Sequence, residues 1–452
     1  MDISNKTFVV VGTGKSGVAA AELLLRHAKK VYLYDGNEAL DVAAFRKQHQ
    51  SLNAVELILG TLPAEIETTL DIAVLSPGVP IDIPVVEQMK AQGICIWGEI
   101  ELAYVLGKGK VVAITGTNGK TTTTTLVGQI MARHFAKVQV VGNIGIPYTS
   151  VVEDTTEDTV VVAEISSFQL ETIQTFAPKA AAILNITPDH LNRHHTMENY
   201  IAAKESIVKN QSKEDICVLN YNDEVLRDFG KTLEQNVIYF SSTEVLEEGL
   251  YLDGNEIMWA RNGGREPIIS VEELHILGAH NYENAMAAIA LCDGMGVPMQ
   301  AICDGLRAFH AVEHRIEFVC KKNDIAFYND SKGTNPDAAI KGIQSMDRPT
   351  ILIGGGYDKG GSFSDWIRSF DGKVKCLLLL GDTKDRIAQE AEECGFFEYR
   401  FVDSLEEAVK TAHDLAESGD AVLLSPACAS WDMFDSYEQR GTMFKDFVRG
   451  LE

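Results

Sequence analysis

The sequence has no Cys-x-x-Cys pair, no apolar run of 18 residues, and no repeated or low-complexity segment. Its eight cysteines (Cys95, Cys217, Cys292, Cys303, Cys320, Cys376, Cys394 and Cys428) sit mostly among apolar residues, as reduced core thiols of a cytosolic protein do. The missing apolar run excludes a membrane-spanning helix, and the polar start from Met1 to Lys6 predicts no signal peptide. Positive charge is scarce as well. Forty Lys and Arg against 65 Asp and Glu leave a net charge of −25, which argues against nucleic acid or an anionic membrane as partner. An anionic substrate must then be held by local cations and helix N-termini. A soluble protein of two to four domains is expected from 452 residues with 45% apolar content, and it is taken to be cytoplasmic and monomeric.

What is present is punctuated by glycine. Val111-Val112-Ala113-Ile114 reads as a buried parallel strand, Thr115 to Gly119 as a turn, and Thr121 to Arg133 as a helix. A strand, a Gly-rich turn and a helix opening on Lys and Thr make a phosphate cradle, shorter here than the Gly-x-x-x-x-Gly-Lys-[Ser/Thr] form. Gly116, Thr117, Asn118, Gly119 and Thr122 belong to this turn and helix start. Lys120 would reach the outer phosphates of a nucleoside triphosphate, and the Thr121 hydroxyl is placed to ligate Mg²⁺. A second glycine turn lies near the start. Strand Thr7–Val11, then Gly12-Thr13-Gly14-Lys15-Ser16-Gly17, a helix to about His27, and strand Val31–Tyr34 ending in Asp35 complete a G-x-G-x-x-G fingerprint. Those groups can meet the diphosphate of NAD or of a nucleotide sugar alike.

Strands and helices alternate onward, predicting an α/β fold of three domains: 1–98 and 312–452 Rossmann-like, and 99–311 carrying the phosphate loop. Strand Thr159–Glu164 delivers Glu164 to the ligand-binding sheet edge, and Ala180–Ile186 delivers His190. Lys204 falls mid-helix and reads from the residues alone as a solvated lysine. Residues 213–275 read as strands and hairpins with turns at Asn222-Asp223 and Asp253-Gly254. His194 and His195 read as loop residues. In the last third, strands near Ile325–Tyr328, Thr350–Ile353, Cys376–Leu380 and Ala421–Leu424 each end in polar or glycine residues, which builds a polar pocket.

Together these residues resemble the Mur ligases of peptidoglycan synthesis. The motifs are Gly-Thr-Asn-Gly-Lys-Thr, Asn143-Ile144-Gly145, Glu164-Ile165-Ser166-Ser167-Phe168-Gln169-Leu170-Glu171, Thr187-Pro188-Asp189-His190, His314-Arg315, Asp330 to Asn335, and Ser425-Pro426-Ala427 with Arg440-Gly441. The resemblance implies an ATP-dependent ligase, and its Ser-Ser-Phe-Gln-Leu-Glu stretch points to the branch that adds D-glutamate to UDP-N-acetylmuramoyl-L-alanine. A sister ligase using another amino acid is the alternative. The resemblance further implies that Lys15, Ser16, Asp35, Ser76 and Gly78 hold the UDP portion, and that Asn143 meets the muramoyl-alanine end. Two Mg²⁺ ions would be served by Thr121, Glu164, His190 and a carbamylated Lys204. Asn281, Asn284, His314, Arg315, Asp330 and Lys332 would surround ADP. Thr334, Lys359, Ser430 and Tyr437 would hold D-glutamate.

Overall fold

The computed structural model describes every residue except Met1, Ile144, Ala311, Val312, Lys359 and Glu452. The chain divides into two compact units, one of residues 1–271 and 283–306 and one of residues 272–282 and 307–452.

In the first unit, five short apolar strands form a wholly parallel sheet in the order Glu56–Leu59, Lys30–Asp35, Thr7–Val11, Ile72–Leu75, Cys95–Gly98. The chain order reverses between Thr7–Val11 and Ile72–Leu75, so a crevice opens beyond their carboxyl ends, where Gly12 and Ser76 lie. Helix Lys15–His27 packs its Ala- and Leu-rich face onto this sheet. It can approach closely because a Cβ on Gly17 would lie 2.0 Å from the Gly12 carbonyl oxygen. A nine-stranded sheet follows in the same unit. Its strand Lys110–Thr115 is buried beyond the first residue and lies parallel between Val160–Glu164 and Ala180–Ile183. The two sheets are fastened by buried acids. Glu101, on helix Glu99–Leu106, accepts the backbone N–H groups of Gln174, Thr175 and Phe176 at 2.8–3.1 Å.

One expectation needs correction here. Asn222-Asp223 is not a hairpin turn: strands Ile216–Asn220 and Asn236–Ser241 run parallel, and helix Glu224–Gly230 connects them. Asp223 caps that helix, its carboxylate accepting from Val225 and Leu226 N–H, so the Asn-Asp pair signals a cap. Asp253-Gly254 does join two antiparallel strands.

The second unit holds a six-stranded sheet in the order Glu317–Lys322, Ile325–Asn329, Ala421–Leu424, Thr350–Gly354, Val374–Leu379, Tyr399–Phe401. All neighbours are parallel except the first pair. The two edge strands, Glu317–Lys322 and Tyr399–Phe401, have mixed polar sequences that periodicity does not flag, as protected edges commonly do. Among the described residues no helix is long and apolar enough to cross a membrane.

Candidate functional site

The first unit carries two glycine turns at sheet edges. At the first, Gly12 has φ +102°, and a Cβ there would meet the Ser76 hydroxyl at 2.8 Å. Asp35 closes the turn: one carboxylate oxygen accepts from the Thr13 N–H at 2.9 Å and from its hydroxyl at 2.6 Å, the other from Asn37 N–H. Burial works against ionisation of Asp35, yet the Thr13 hydroxyl and the Asn37 and Thr13 amides outweigh it and hold its pKa below the usual value. Lys15, Ser16, Asp35, Ser76, Gly78 and Asn143 all line one cavity of about 550 Å³. Other residues that line it had no site role assigned from the sequence, Thr13 and Gln169 among them. Gln169 does carry a signal, because Ser166-x-x-Gln169 is a capping box and the structure forms it.

At the second turn, Gly116 and Gly119 take φ of +149° and +85°, conformations that favour glycine. The turn ends on helix Lys120–Ala132, whose first N–H groups lack intrahelical acceptors. Asn185 braces it by accepting from Asn118 N–H at 2.8 Å and donating to the Asn118 carbonyl. The Thr117 hydroxyl lies 2.9 Å from the Tyr200 hydroxyl and accepts from Thr187 N–H. Asn284 stands over Gly119, where a Cβ would meet its amide oxygen at 2.4 Å, and accepts from the Thr123 hydroxyl. The Lys120 ammonium folds back on the Gly116 and Thr117 carbonyls at 2.8 and 2.9 Å.

Lys204 is only 2% exposed, so the solvated reading of its residues alone fails. Its Nζ donates to the same Gly116 carbonyl at 2.8 Å and lies 4.7 Å above the Tyr200 ring. Burial, with the nearby Lys120 charge added, lowers its pKa well below the ordinary lysine value. Glu164 is also 2% exposed; one oxygen accepts from the Asn143 amide at 2.8 Å, and the other is buried with no hydrogen-bond partner. His190 is half exposed, in a left-handed conformation with φ +51°, its ring edge-on to Phe168 at 4.9 Å. Among the described residues no three His, Cys, Asp or Glu gather as a metal cluster. The donor set fits Mg²⁺ on other grounds, since Glu164 holds a buried carboxylate oxygen without a hydrogen-bond partner, the kind of oxygen donor such an ion takes.

The loop reading of His194 and His195 holds only in part. His194 ends the short helix Leu191–His194, is 4% exposed, and bonds Ser167 at 2.9 Å and Glu171 at 3.2 Å. Burial and surrounding cations lower its pKa to about 4, which keeps it neutral at physiological pH. Exposed His195 pairs with Asp82.

The second unit gathers the remaining candidates beyond its strand ends. Asp330 is buried, accepts from the Ser425 hydroxyl at 2.7 Å, and has its pKa pushed by burial up to about 7. His314 Nδ1 lies 2.9 Å from the Asn329 amide, and its carbonyl accepts from Lys332 N–H. Its ring and the Lys332 ammonium both approach Tyr437, at 6.1 and 5.6 Å. Arg315 has a buried Nε without a hydrogen-bond partner. Thr334 N–H donates to the Lys332 carbonyl, Ser430 is buried, and the Asn281 amide donates to the Leu277 carbonyl. Lys359 lies outside the described residues. The strut beneath this group, Arg440, had no role assigned from the sequence. Its guanidinium donates to the Ser331 hydroxyl and to the carbonyls of Ser331, Cys428 and Ala429, shaping the Ser425–Ser430 loop.

Comparison with known proteins identifies this arrangement. The chain matches the Mur ligase MurD-like N-terminal domain over residues 6–98, the Mur ligase middle domain over 114–292, and the Mur ligase glutamate ligase domain over 314–428. With full-length relatives at about half identity, the chain belongs to the Mur ligase family, an α/β fold of three domains. A relative from Lachnospira eligens, 52% identical over 451 residues and 100% of both chains, is named UDP-N-acetylmuramoylalanine–D-glutamate ligase. So is one from Clostridioides difficile, 45% identical over 453 residues and 100% of both chains. Solved structures share the fold: MurF from Acinetobacter baumannii (TM-score 0.61, 17% identity, 97% of this chain and 93% of that one) and MurF from Thermotoga maritima in complex with ADP (TM-score 0.59, 16% identity, 99% and 96%).

Proposed function

We propose that this protein is a cytoplasmic, ATP-dependent, ADP-forming ligase that joins D-glutamate to the alanyl carboxylate of UDP-N-acetylmuramoyl-L-alanine. The observation that carries the reading is Asn143. It lines the cavity beside the first glycine turn and donates to Glu164 beside the second, so a ligand filling that cavity ends next to the phosphate loop. The full-length similarity to D-glutamate ligases supports the choice of amino acid. The domain limits proposed are 1–98, 99–311 and 312–452.

A carboxylate is a poor electrophile and must be activated before an amine can attack it. An oxygen of the alanyl carboxylate attacks the γ-phosphorus of ATP, the bond to the β-phosphate oxygen breaks, and ADP leaves behind an acyl phosphate. Lys120, released from the Gly116 and Thr117 carbonyls, and the N–H groups opening helix Lys120–Ala132 neutralise charge on the phosphoryl group. Mg²⁺, when bound, adds charge neutralisation there, and Thr121, Glu164, His190 and carbamylated Lys204 would hold it. The D-glutamate nitrogen then attacks the acyl carbon, inorganic phosphate departs, and the amine proton passes to solvent. Thr334, Lys359, Ser430 and Tyr437 would hold the amino acid, and Asn281, Asn284, His314, Arg315, Asp330 and Lys332 the ADP.

ADP release is the test, measured with ATP, Mg²⁺ and UDP-N-acetylmuramoyl-L-alanine, adding D-glutamate, L-glutamate, L-lysine or nothing in parallel. Release dependent on D-glutamate alone is expected. Release with another amino acid would move the chain to a sister ligase, and none under any condition would overturn the reading.

A further inference from the structure

Arg193 has no part in the chemistry above, yet it touches three of the segments that chemistry needs. Its Nη2 donates to Glu171 at 2.7 Å and to the Val79 carbonyl at 2.9 Å. Both members of the Arg193–Glu171 pair are nearly buried, at 11% and 8% side-chain exposure. The guanidinium also lies 4.8 Å from the centre of the Phe168 ring, whose edge meets His190. Each contact leads to a different part of the site. Val79 closes the turn that begins at Ser76, through its N–H to the Ser76 carbonyl, and that turn lines the substrate cavity. Glu171 ends the segment that starts at Glu164 and contributes Gln169 to the same cavity. His190 stands three residues before Arg193, and its carbonyl accepts from Arg193 N–H at 2.9 Å.

Resting on the proposed function, we infer that Arg193 is a positioning residue: it fixes the Ser76–Val79 turn against the Glu164–Glu171 segment and the His190 loop, and so sets the nucleotide-sugar substrate's reacting end in register with the phosphate loop. A planar guanidinium suits this work, because its Nη2 reaches a carboxylate and a carbonyl at once while the group lies over an aromatic ring. A lysine offers a point charge and can keep only part of the arrangement. The neighbouring His195–Asp82 pair spans the same gap but is largely solvent-exposed, so it is a weak second tie.

The test compares wild type with Arg193→Met, Arg193→Lys, the double variant Arg193→Met/Glu171→Gln, and His195→Gln. The double variant removes the charge of the buried carboxylate that Arg193→Met would leave without its arginine, so it keeps the measurement meaningful if Arg193→Met folds poorly. Misregister of the reacting groups is expected to lower kcat by about 10²-fold and raise KM for UDP-N-acetylmuramoyl-L-alanine about tenfold. The Kd of ATP measured without that substrate should stay within about twofold, Arg193→Lys should recover part of kcat, and His195→Gln should change neither constant more than about twofold. Wild-type kcat in the folded double variant would overturn the inference, as would equal weakening of ATP and of the UDP substrate, which marks a merely structural residue. Absence of D-glutamate-dependent turnover in the wild type itself would instead strike the proposed function.

Discussion

Two turns in this chain share nearly the same letters, Gly12-Thr13-Gly14-Lys15-Ser16 and Gly116-Thr117-Asn118-Gly119-Lys120-Thr121, and their surroundings differ in one decisive respect. At the first, the nearby acid is spent on the turn itself: both Asp35 oxygens accept hydrogen bonds from Thr13 and Asn37. At the second, the nearby acid keeps an oxygen in reserve, since Glu164 uses one on Asn143 and buries the other without a partner. The lysines differ too. Lys15 reaches out to the Gly145 carbonyl, whereas Lys120 is folded onto its own turn beside a second lysine, the buried Lys204. A turn with a satisfied acid and an extended lysine can bind a diphosphate and leave it unchanged. A turn with an unsatisfied buried acid and two lysines on one carbonyl is arranged for charge that arrives and moves.

Removing the lysine of the second turn is the most severe way to break that comparison. Lys120→Ala should lower kcat by about 10³-fold or more, because the group meeting the transferred phosphoryl charge is gone. The Kd of UDP-N-acetylmuramoyl-L-alanine, measured by calorimetry, should change less than about twofold, since the site proposed for that ligand is the other turn. Comparable loss of both would mean that the two nucleotide sites are misassigned.

Lys204 sharpens the contrast by chemistry. A buried ammonium is costly, and burial with the nearby Lys120 charge lowers the Lys204 pKa against the opposing pull of Asp189, which favours the neutral amine. A neutral amine nitrogen can attack the carbon of CO₂ and lose a proton, leaving a carbamate in place of a cation. Acid reverses this by protonating the amine, so activity that depends on the carbamate falls as pH drops. Enzyme held in CO₂-free buffer should lose activity and regain it on adding bicarbonate. Lys204→Arg, which cannot be carbamylated, should lose about 10²-fold with no bicarbonate effect. Full activity in CO₂-free buffer would end the carbamate reading.

Local geometry was legible in the residues wherever one position settles it. Gly116 and Gly119 announce the turn because their positive φ favours glycine, and apolar runs such as Val111–Ile114 announce strands buried on both faces. What escaped was decided by packing at long range. Lys204 and His194 are polar residues whose local sequence does not say whether they are buried, and the approach of Gly116 and Tyr200 to one, and of Ser167 and Glu171 to the other, buries them. Arg440 went unassigned for the same reason: its partners at Ser331 and Cys428–Ala429 are separated from it in sequence. Edge strands Glu317–Lys322 and Tyr399–Phe401 escaped because their signals are too short: three apolar residues between charges in one, three alternating residues in the other.

Asp35→Asn gives the smallest effect and tests whether the first turn is as passive as the comparison holds. The amide keeps one acceptor for Thr13 but turns a donor toward Asn37 N–H or Thr13, so the turn loosens without collapsing. KM for UDP-N-acetylmuramoyl-L-alanine should rise about tenfold, close to the roughly 1.4 kcal/mol of one lost hydrogen bond, with kcat within about threefold of wild type. The pH dependence carries its own sign. Because folding lowers the Asp35 pKa, the stability it contributes is present above the unfolded value near 3.8 and is lost as pH falls through the folded value. Thermal unfolding of wild type and variant should therefore differ most at neutral pH and converge in acid below about pH 4. A variant that lost kcat as steeply as Lys120→Ala would show that the first turn takes part in the chemistry, and the division between the two turns would fall.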